Sequence, residues 1–390
     1  MENPVNIPTS VTQLTLDIYN HVAVTWNNAT VIWGNRPPWG KSVVYHHLRG
    51  TWTEQETSGD LPLASGHQFA HVLNDRMFVL TKTRTGILVI HSLDLHTWIW
   101  AMFLPSGTPP SVWPSSVGSW AHKEKIYCFG GIGGMGLSPN NELVTYNISA
   151  NSWEWPDMRG DIPTPRGYPK ITISDDTVFL IGGIGVVHDL YNDLFILDMP
   201  SMIWRKVHGN LLSGEGPNEA QCWSRTFTKI SQTTAVLYGA SFDYNTESYL
   251  SDCWLLNLRN AKQLMEPSYI WTKIKNLDIR LYHAAILQPL SKRLWVISGY
   301  NENFLPSNIM KLNFKQLHSL KDLAMDCVAR NICAQDPRLA PEDQIPLQLR
   351  NEIEAYRCEI GDQYSCPEDD WRRSACPLEE RWKNNSLPLP

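Results

Sequence analysis

No run in this chain approaches the roughly 20 apolar residues that a membrane-spanning helix needs. The first residues, MENPVNIPTSVTQ, hold no apolar core of the secretory type. These two absences set the expectation of a cytoplasmic or nuclear protein that meets no membrane. Positive charge is scarce as well. Lys and Arg number 33 against 39 Asp and Glu, a formal net charge of −6, so the basic footprint of a nucleic-acid binder is missing. The 8 cysteines form no CxxC pair, and several fall in apolar strands, so buried free thiols are expected rather than disulfides or zinc. No P-loop, nucleophile elbow or HExxH motif is present. The expectation is therefore a non-enzyme with no cofactor and no metal.

What the chain does have is one cassette, repeated. A short apolar strand runs into a glycine-centred turn, a second strand follows, and then a Trp. IYCFGG (126–131), LVTYNI (143–148) and Trp153 form one copy; VFLIGG (178–183), LFILDM (194–199) and Trp204 form another. Worn copies are VIWGN with VVYHHL and Trp52, MFVLTK with LVIHSL and Trp98, and AVLYGA with CWLLNL and Trp271. The Trp-to-Trp steps are 46, 55, 51 and 67 residues. The strands are short, β-branched and aromatic, and bounded by Gly, Asn, Asp or Ser. The paired glycines suit a turn that needs positive φ and close backbone approach. A late Trp is large enough to cover a neighbouring sheet.

This cassette resembles the kelch repeat. The resemblance implies an all-β fold, a six-bladed kelch β-propeller, with a short C-terminal helical appendage. A sixth unit, RLYHAAIL (280–287), LWVISGY (294–300) and NIMKLNF (308–314), has no Trp strand after it. Because a propeller must close its ring to remove bare sheet edges, the stretch SVTQLTL (10–16) is expected to supply that outer strand. The propeller then occupies 10–314. The insertion ASFDYNTESYLSD in the fifth copy is expected to project as a recognition loop around Phe242, Tyr244 and Tyr249.

Strand periodicity stops at Lys315, and residues 315–357 form the appendage. In LHSLKDLAMDCVARNI (317–332), Leu320, Leu323, Ala324, Cys327 and Val328 line one helical stripe, with Ser319 placed to cap it. IPLQLRNEIEAY (345–356) starts a second helix at Pro346. Ser319-Leu320-x-x-Leu323-Ala324-x-x-x-Val328 resembles an elongin-C-binding box, with Ala324 where that family usually has Cys. Ile345-Pro346-x-x-Leu349 resembles the cullin box of SOCS-box and VHL-box proteins. With the kelch array, the chain is similar to kelch domain-containing substrate receptors of cullin–RING ubiquitin ligases. The resemblance implies binding to elongin B/C through the first stripe. It also implies binding to cullin 2 through Ile345, Pro346 and Leu349, ahead of cullin 5, because Leu347-Gln348 lacks that partner's second Pro. The other reading of both helices is a clasp packed on the propeller, in a scaffold without a ligase. Residues 358–390 are acidic, then basic and Pro-rich, and are expected to be disordered.

Residues just ahead of the inner strands crowd one face of a propeller. Here they include Arg166, Tyr168, Trp223, Arg225, Arg280 and Tyr282, with His21, His67, Trp113 and His283 nearby. Arginine among aromatics is the composition of a recognition surface. A protein segment is the expected ligand, its C-terminus included, because Arg166, Arg225 and Arg280 could each hold a carboxylate by bidentate pairing. The opposing reading is that these arginines and histidines hydrogen-bond the turns between blades. Some similar receptors read protein C-termini with basic residues after the fourth blade's double glycine. Here that stretch, IGVVHD (184–189), has no Arg or Lys, so diglycine-end recognition does not carry over. Copper-oxidase chemistry, a third possibility on a propeller, would need His ligands, and His21, His67, His188 and His283 show no ligand spacing.

Overall fold

Strand after strand alternates its apolar residues to two different neighbours, and this builds the molecule. In the computed structural model the described residues are 19–35, 41–46, 50–62, 69–83, 86–133, 138–186, 189–207, 225–232, 234–243, 248–258, 271–274, 277–288, 292–303, 305, 307 and 309–312. They fold into six sheets, each built on an antiparallel meander, with a parallel fifth strand added at the edge of two of them. Blade I comprises Tyr19–Trp26, Ala29–Asn35, Lys41–His46 and Thr51–Glu56. Blade II comprises Ala70–Leu73, Arg76–Lys82, Leu88–Asp94 and Ile99–Phe103. Blade III comprises Gly118–His122, Lys125–Gly133, Ser138–Asn147 and Ser152–Glu154. Blade IV comprises Lys170–Ser174, Thr177–Ile184, Leu190–Asp198 and Ile203–Val207. Blade V comprises Thr226–Ser231, Thr234–Asp243, Ser248–Asn257 and Trp271–Lys273. Blade VI shows three strands among the described residues, Ala284–Leu287, Leu294–Ile297 and Met310–Leu312. The first strand of every blade packs against the first strands of the blades before and after it, and blade VI meets blade I. The ring therefore closes as a six-bladed propeller. The 10–16 stretch expected to complete blade VI, the two helices and the tail lie outside the described residues.

The core is not one mass but six layers, one at each junction between successive blades. Blade III's second strand shows how period-two alternation achieves this. Ile126 and Cys128 enter the layer shared with blade II, while Tyr127 and Phe129 enter the layer shared with blade IV. The outer Trp of each of blades I to V faces backward. Trp100 packs on blade I, Trp153 on blade II, Trp204 on blade III and Trp271 on blade IV, while Trp52 closes the circle on blade VI.

The second blade corrects the cassette. The repeated Trp there is Trp100, not Trp98. Trp100 is buried and pairs with Leu93, as Trp204 pairs with Leu197 and Trp153 with Tyr146. Trp98 sits in the preceding turn at φ 60° and packs edge-on against Trp26. The fifth-blade insertion is a second correction. Its strands extend into a hairpin whose pairing runs without a break from Thr234–Asn257 out to Asp243–Ser248, leaving only 244–247 undescribed at the tip.

The chain between blades caps exposed edges. Ser58–Gly59 runs parallel to Ile99-Trp100 of blade II, and Arg159–Gly160 does the same for Ile203-Trp204 of blade IV. In both caps the next residue, Asp60 or Asp161, accepts a backbone N–H two residues past the Trp, from Met102 or Lys206, at 3.2 Å. Glycine is required there: a Cβ on Gly59 or Gly160 would lie 2.3 or 2.2 Å from the Trp carbonyl oxygen. A fifth strand of this kind hides backbone groups that would otherwise template aggregation.

Candidate functional site: the central channel and its mouth

The six first strands wall a channel of about 290 Å³ along the propeller axis. Its lining is polar and comes from every blade. Three histidines stitch neighbouring blades together across the wall. His21 of blade I donates from Nε2 to the Ile297 carbonyl of blade VI at 3.0 Å. His71 of blade II lies 2.9 Å through Nε2 from Ser119 Oγ of blade III, and His283 of blade VI lies 3.0 Å from Thr226 Oγ1 of blade V. Burial holds the His71 imidazole at about 4. Burial and the positive neighbours Arg280, His21 and Lys170 hold His283 at about 3. Both rings are neutral at physiological pH, and His283 senses a positive field inside the channel.

The diglycine turns are what bring the arginines here. Gly130 and Gly131 adopt φ 66° and 110°, and Gly182 and Gly183 adopt 67° and 109°. Gly131 N–H donates to the Arg166 carbonyl at 2.9 Å, and a Cβ on Gly130 would approach that oxygen to 2.5 Å. Arg166 is 0 % exposed, and its five N–H groups are all used. Nε and one Nη2 N–H go to the Thr164 carbonyl and hydroxyl, one Nη1 N–H to the Gly182 carbonyl, and the remaining two grip Asp193 at 2.6 and 3.2 Å. Its guanidinium also stacks 4.3 Å from the Tyr191 ring centroid. Arg166 thus supports the site from within a junction and has no donor left for a substrate carboxylate.

The other expected residues divide. Arg280 is buried, donates to the Ser298 carbonyl at 3.2 Å and receives the Ala240 N–H on its own carbonyl at 3.0 Å. Burial lowers its pKa, with the neighbouring Tyr238 and Asp278 acting the other way. Arg225 is buried and borders the channel. Tyr168 also borders the channel, and Tyr282 is 45 % exposed. Both tyrosines hold positive φ, 56° and 53°, a costly backbone state for a bulky residue and one that concentrates at functional sites. The Tyr168 phenol is raised mainly by burial, partly offset by a hydrogen bond with Ser115, and raised further by the nearby Tyr282. Trp113 is 44 % exposed, with its backbone N–H donating to the Ile132 carbonyl at 2.8 Å. Trp223, His67 and His188, together with the box residues at 320–328 and 345–349, lie outside the described residues. The sequence reading missed His71, Lys170 and Ser119. The available signal was position: all three fall in first strands, which line the channel by topology.

Among the described residues no group of three or more His, Cys, Asp or Glu side chains could hold a metal ion. The Cys128 thiol is pushed up to about 12 by burial, so it supplies no thiolate. Among the described residues no helix is long and apolar enough to cross a membrane.

A closed six-bladed ring, diglycine bulges and a backward-facing Trp in each described outer strand define a kelch-type propeller. The chain belongs to the KLHDC2/KLHL20/DRC7 Kelch-repeats domain family, which matches residues 20–240. It is 22 % identical to mouse Kelch domain-containing protein 1 over 72 % of this chain and 74 % of that protein. With the human protein of the same name it shares 22 % identity over 80 % of this chain and 84 % of that one. It also resembles Acyl-CoA-binding domain-containing protein 4 of Arabidopsis thaliana, at 27 % identity over 40 % of this chain. The matched region spans only 25 % of that relative. Among solved structures, YjhT superposes with a TM-score of 0.57 at 14 % identity, covering 78 % of this chain and all of that one, which shows the shared fold.

Proposed function

We propose that this chain is a non-catalytic protein-interaction module, the substrate-recognition subunit of a cullin–RING ubiquitin ligase. One observation carries the reading: a kelch propeller followed, in box order, by the Leu320–Val328 stripe and the Ile345-Pro346-x-x-Leu349 segment. The stripe is a helix-in-groove ligand for elongin C, and the second segment engages cullin 2. The protein substrate docks at the channel mouth. Tyr282 and Trp113 supply exposed aromatic area, and Tyr168 holds the rim. Arg166 and Arg280 set the shape of this face from beneath, while Trp223 and Arg225 complete the set. On this reading the protein works in the cytoplasm or nucleus.

Co-purification from a host lysate tests the assignment. Wild type brings down elongin B/C and cullin 2, and Leu320→Ala with Val328→Asp abolishes both while the propeller melts as before. Failure of wild type to capture elongin C replaces this reading with the scaffold whose two helices clasp the propeller. Tyr282→Ala with Trp113→Ala separates the surfaces: substrate recovery falls and elongin capture stays.

A further inference from the structure

The two faces of the ring differ in kind. On one face lie the turns between first and second strands, Asn27-Asn28, Asn74-Asp75, Lys123-Glu124 and Asp175-Asp176, polar throughout. On the other, second strands turn into third strands and each blade connects to the next, around the channel mouth. Five large apolar side chains are exposed there: Ile87, Trp113, Val186, Tyr282 and Leu305. Apolar area collected on one face, around a channel and rimmed by polar loops, marks an interaction surface. We infer that this face recognises a basic apolar segment of a protein, Lys or Arg interleaved with bulky aliphatic or aromatic side chains, and that it does not require a chain terminus. The inference rests on the proposed docking of substrate at the channel mouth.

Charge selects this partner over the expected carboxylate. Arg166, Arg225 and Arg280 are withdrawn from the surface, at 0, 3 and 6 % exposure. The fork of Arg166 is closed on Asp193, and Arg280 donates to the Ser298 carbonyl. Lys170 lies inside the channel, and Lys206, exposed at the end of blade IV's outer strand, stands 3.9 Å from Asp193. What the mouth face exposes is carboxylate: Glu142, Asp189 and Glu302, on blades III, IV and VI. No hydrogen bond or ion pair among the described residues engages these three side chains. They stand beside the exposed apolar groups. Leu281 and Tyr300 exchange backbone hydrogen bonds at 2.8 Å, which brings the neighbouring Tyr282 and Glu302 close to one bridge. The Asp189 N–H closes back on the Val186 carbonyl at 3.4 Å. A Lys or Arg entering this rim meets a carboxylate for a charge-assisted bond and an aromatic face at Trp113 or Tyr282. A free carboxylate meets like charge.

The test uses the full chain and two random peptide libraries, one with free C-termini and one with each peptide flanked on both sides by carrier sequence. Both libraries yield segments rich in Arg or Lys and bulky apolar residues, and poor in Asp and Glu. A selected peptide, synthesised as its amide, binds saturably in fluorescence anisotropy and weakens as salt rises. Glu142→Gln, Asp189→Asn and Glu302→Gln together weaken it roughly tenfold, as loss of several exposed charge pairs does, while the melting temperature and elongin capture stay unchanged. Acidic selected segments, selection from the free-terminus library alone, or no selection from either library overturns the inference. Undiminished binding by the triple variant overturns it too. Should that variant not fold, replacing the basic residues of the peptide by Gln must weaken binding to wild type by the same factor, and unchanged binding is fatal. Elongin capture on the same preparations keeps the two proposals apart. Its failure while basic apolar peptides bind removes the ligase and leaves this site; the opposite pattern removes the site and leaves the ligase.

Discussion

Arg166 and Arg280 hold the same place in blades IV and VI, and their backbones do the same work. Each carbonyl receives an N–H from the turn of the preceding blade, Gly131 or Ala240, and each Nη1 returns a bond to its own blade, at Gly182 or Ser298. Their side chains differ. Arg166 closes on a carboxylate with both arms, at a junction where both glycines are kept. Arg280 sits at a junction where Gly239-Ala240 and Ser298-Gly299 have replaced the diglycines, and burial depresses its pKa. The turn conformation nevertheless persists: Ser298 and Gly299 adopt φ 54° and 90°, close to the diglycine values. The lesson is that the backbone link recurs at both junctions whether or not the paired glycines are kept, so the diglycine is a reinforcement of that link rather than its source.

The largest effect that probes this difference is loss of a backward-facing Trp. Trp204→Ala is expected to cost about 3–5 kcal/mol, measured by chemical denaturation. Trp98→Ala, a partly exposed turn residue, should cost clearly less, and equal costs would undo the reassignment to Trp100. Next comes the ion pair. Arg166→Met leaves the Asp193 carboxylate without its fork and is expected to cost about 3 kcal/mol. A double-mutant cycle with Asp193→Asn should show strong coupling. Gly130→Ala forces a Cβ against the Arg166 carbonyl and is expected to cost about 2 kcal/mol or more. Gly86→Ala, at φ 85° in open space, isolates the backbone contribution alone.

The smallest effect is in pH. His71 and His91 titrate at about 4 and His283 at about 3 in the fold, against 6.5 when unfolded. The unfolded chain therefore binds more protons as pH falls below 6.5. Stability from these histidines is fully present above that value and declines as pH falls toward 4. His283 bridges blades V and VI through the Thr226 hydroxyl, whereas the histidine at the Arg166 junction, His122, lies 3.1 Å from the Asp176 carboxylate, a partner that favours its charged form. Hydrogen exchange at pH 5 should accelerate at the V–VI junction ahead of III–IV, and uniform acceleration would refute that ordering.

The six blades, their order and the layer-forming Trp residues could be read from the sequence, because strand period and turn glycines are local signals. The Trp98 error shows where such signals fail. Trp98 and Trp100 are two residues apart and share a parity, so alternation cannot choose between them. A capping residue can. Asp94, Asn147 and Asp198 each stand six residues before the structural Trp, and each side chain accepts backbone N–H groups in the intervening turn. Arg166 could not be assigned from sequence for a different reason. Its partner Asp193 is 27 residues away, and only the fold brings the two together. Channel lining has the same character: His71 and Lys170 acquire their role from ring closure.

The backward orientation of the Trp residues also imposes an order in time. During synthesis, Trp100, Trp153, Trp204 and Trp271 each emerge after the blade that will cover them, so each new blade can seal on an older one. Trp52 alone is covered by a blade made much later, since its layer includes Trp295, Ile297 and Ile309. The first blade therefore waits with an open indole face for nearly the whole growth of the ring. That makes the I–VI seam the step at which a nascent chain is most exposed to chaperones, and the seam at which a truncated chain would betray itself.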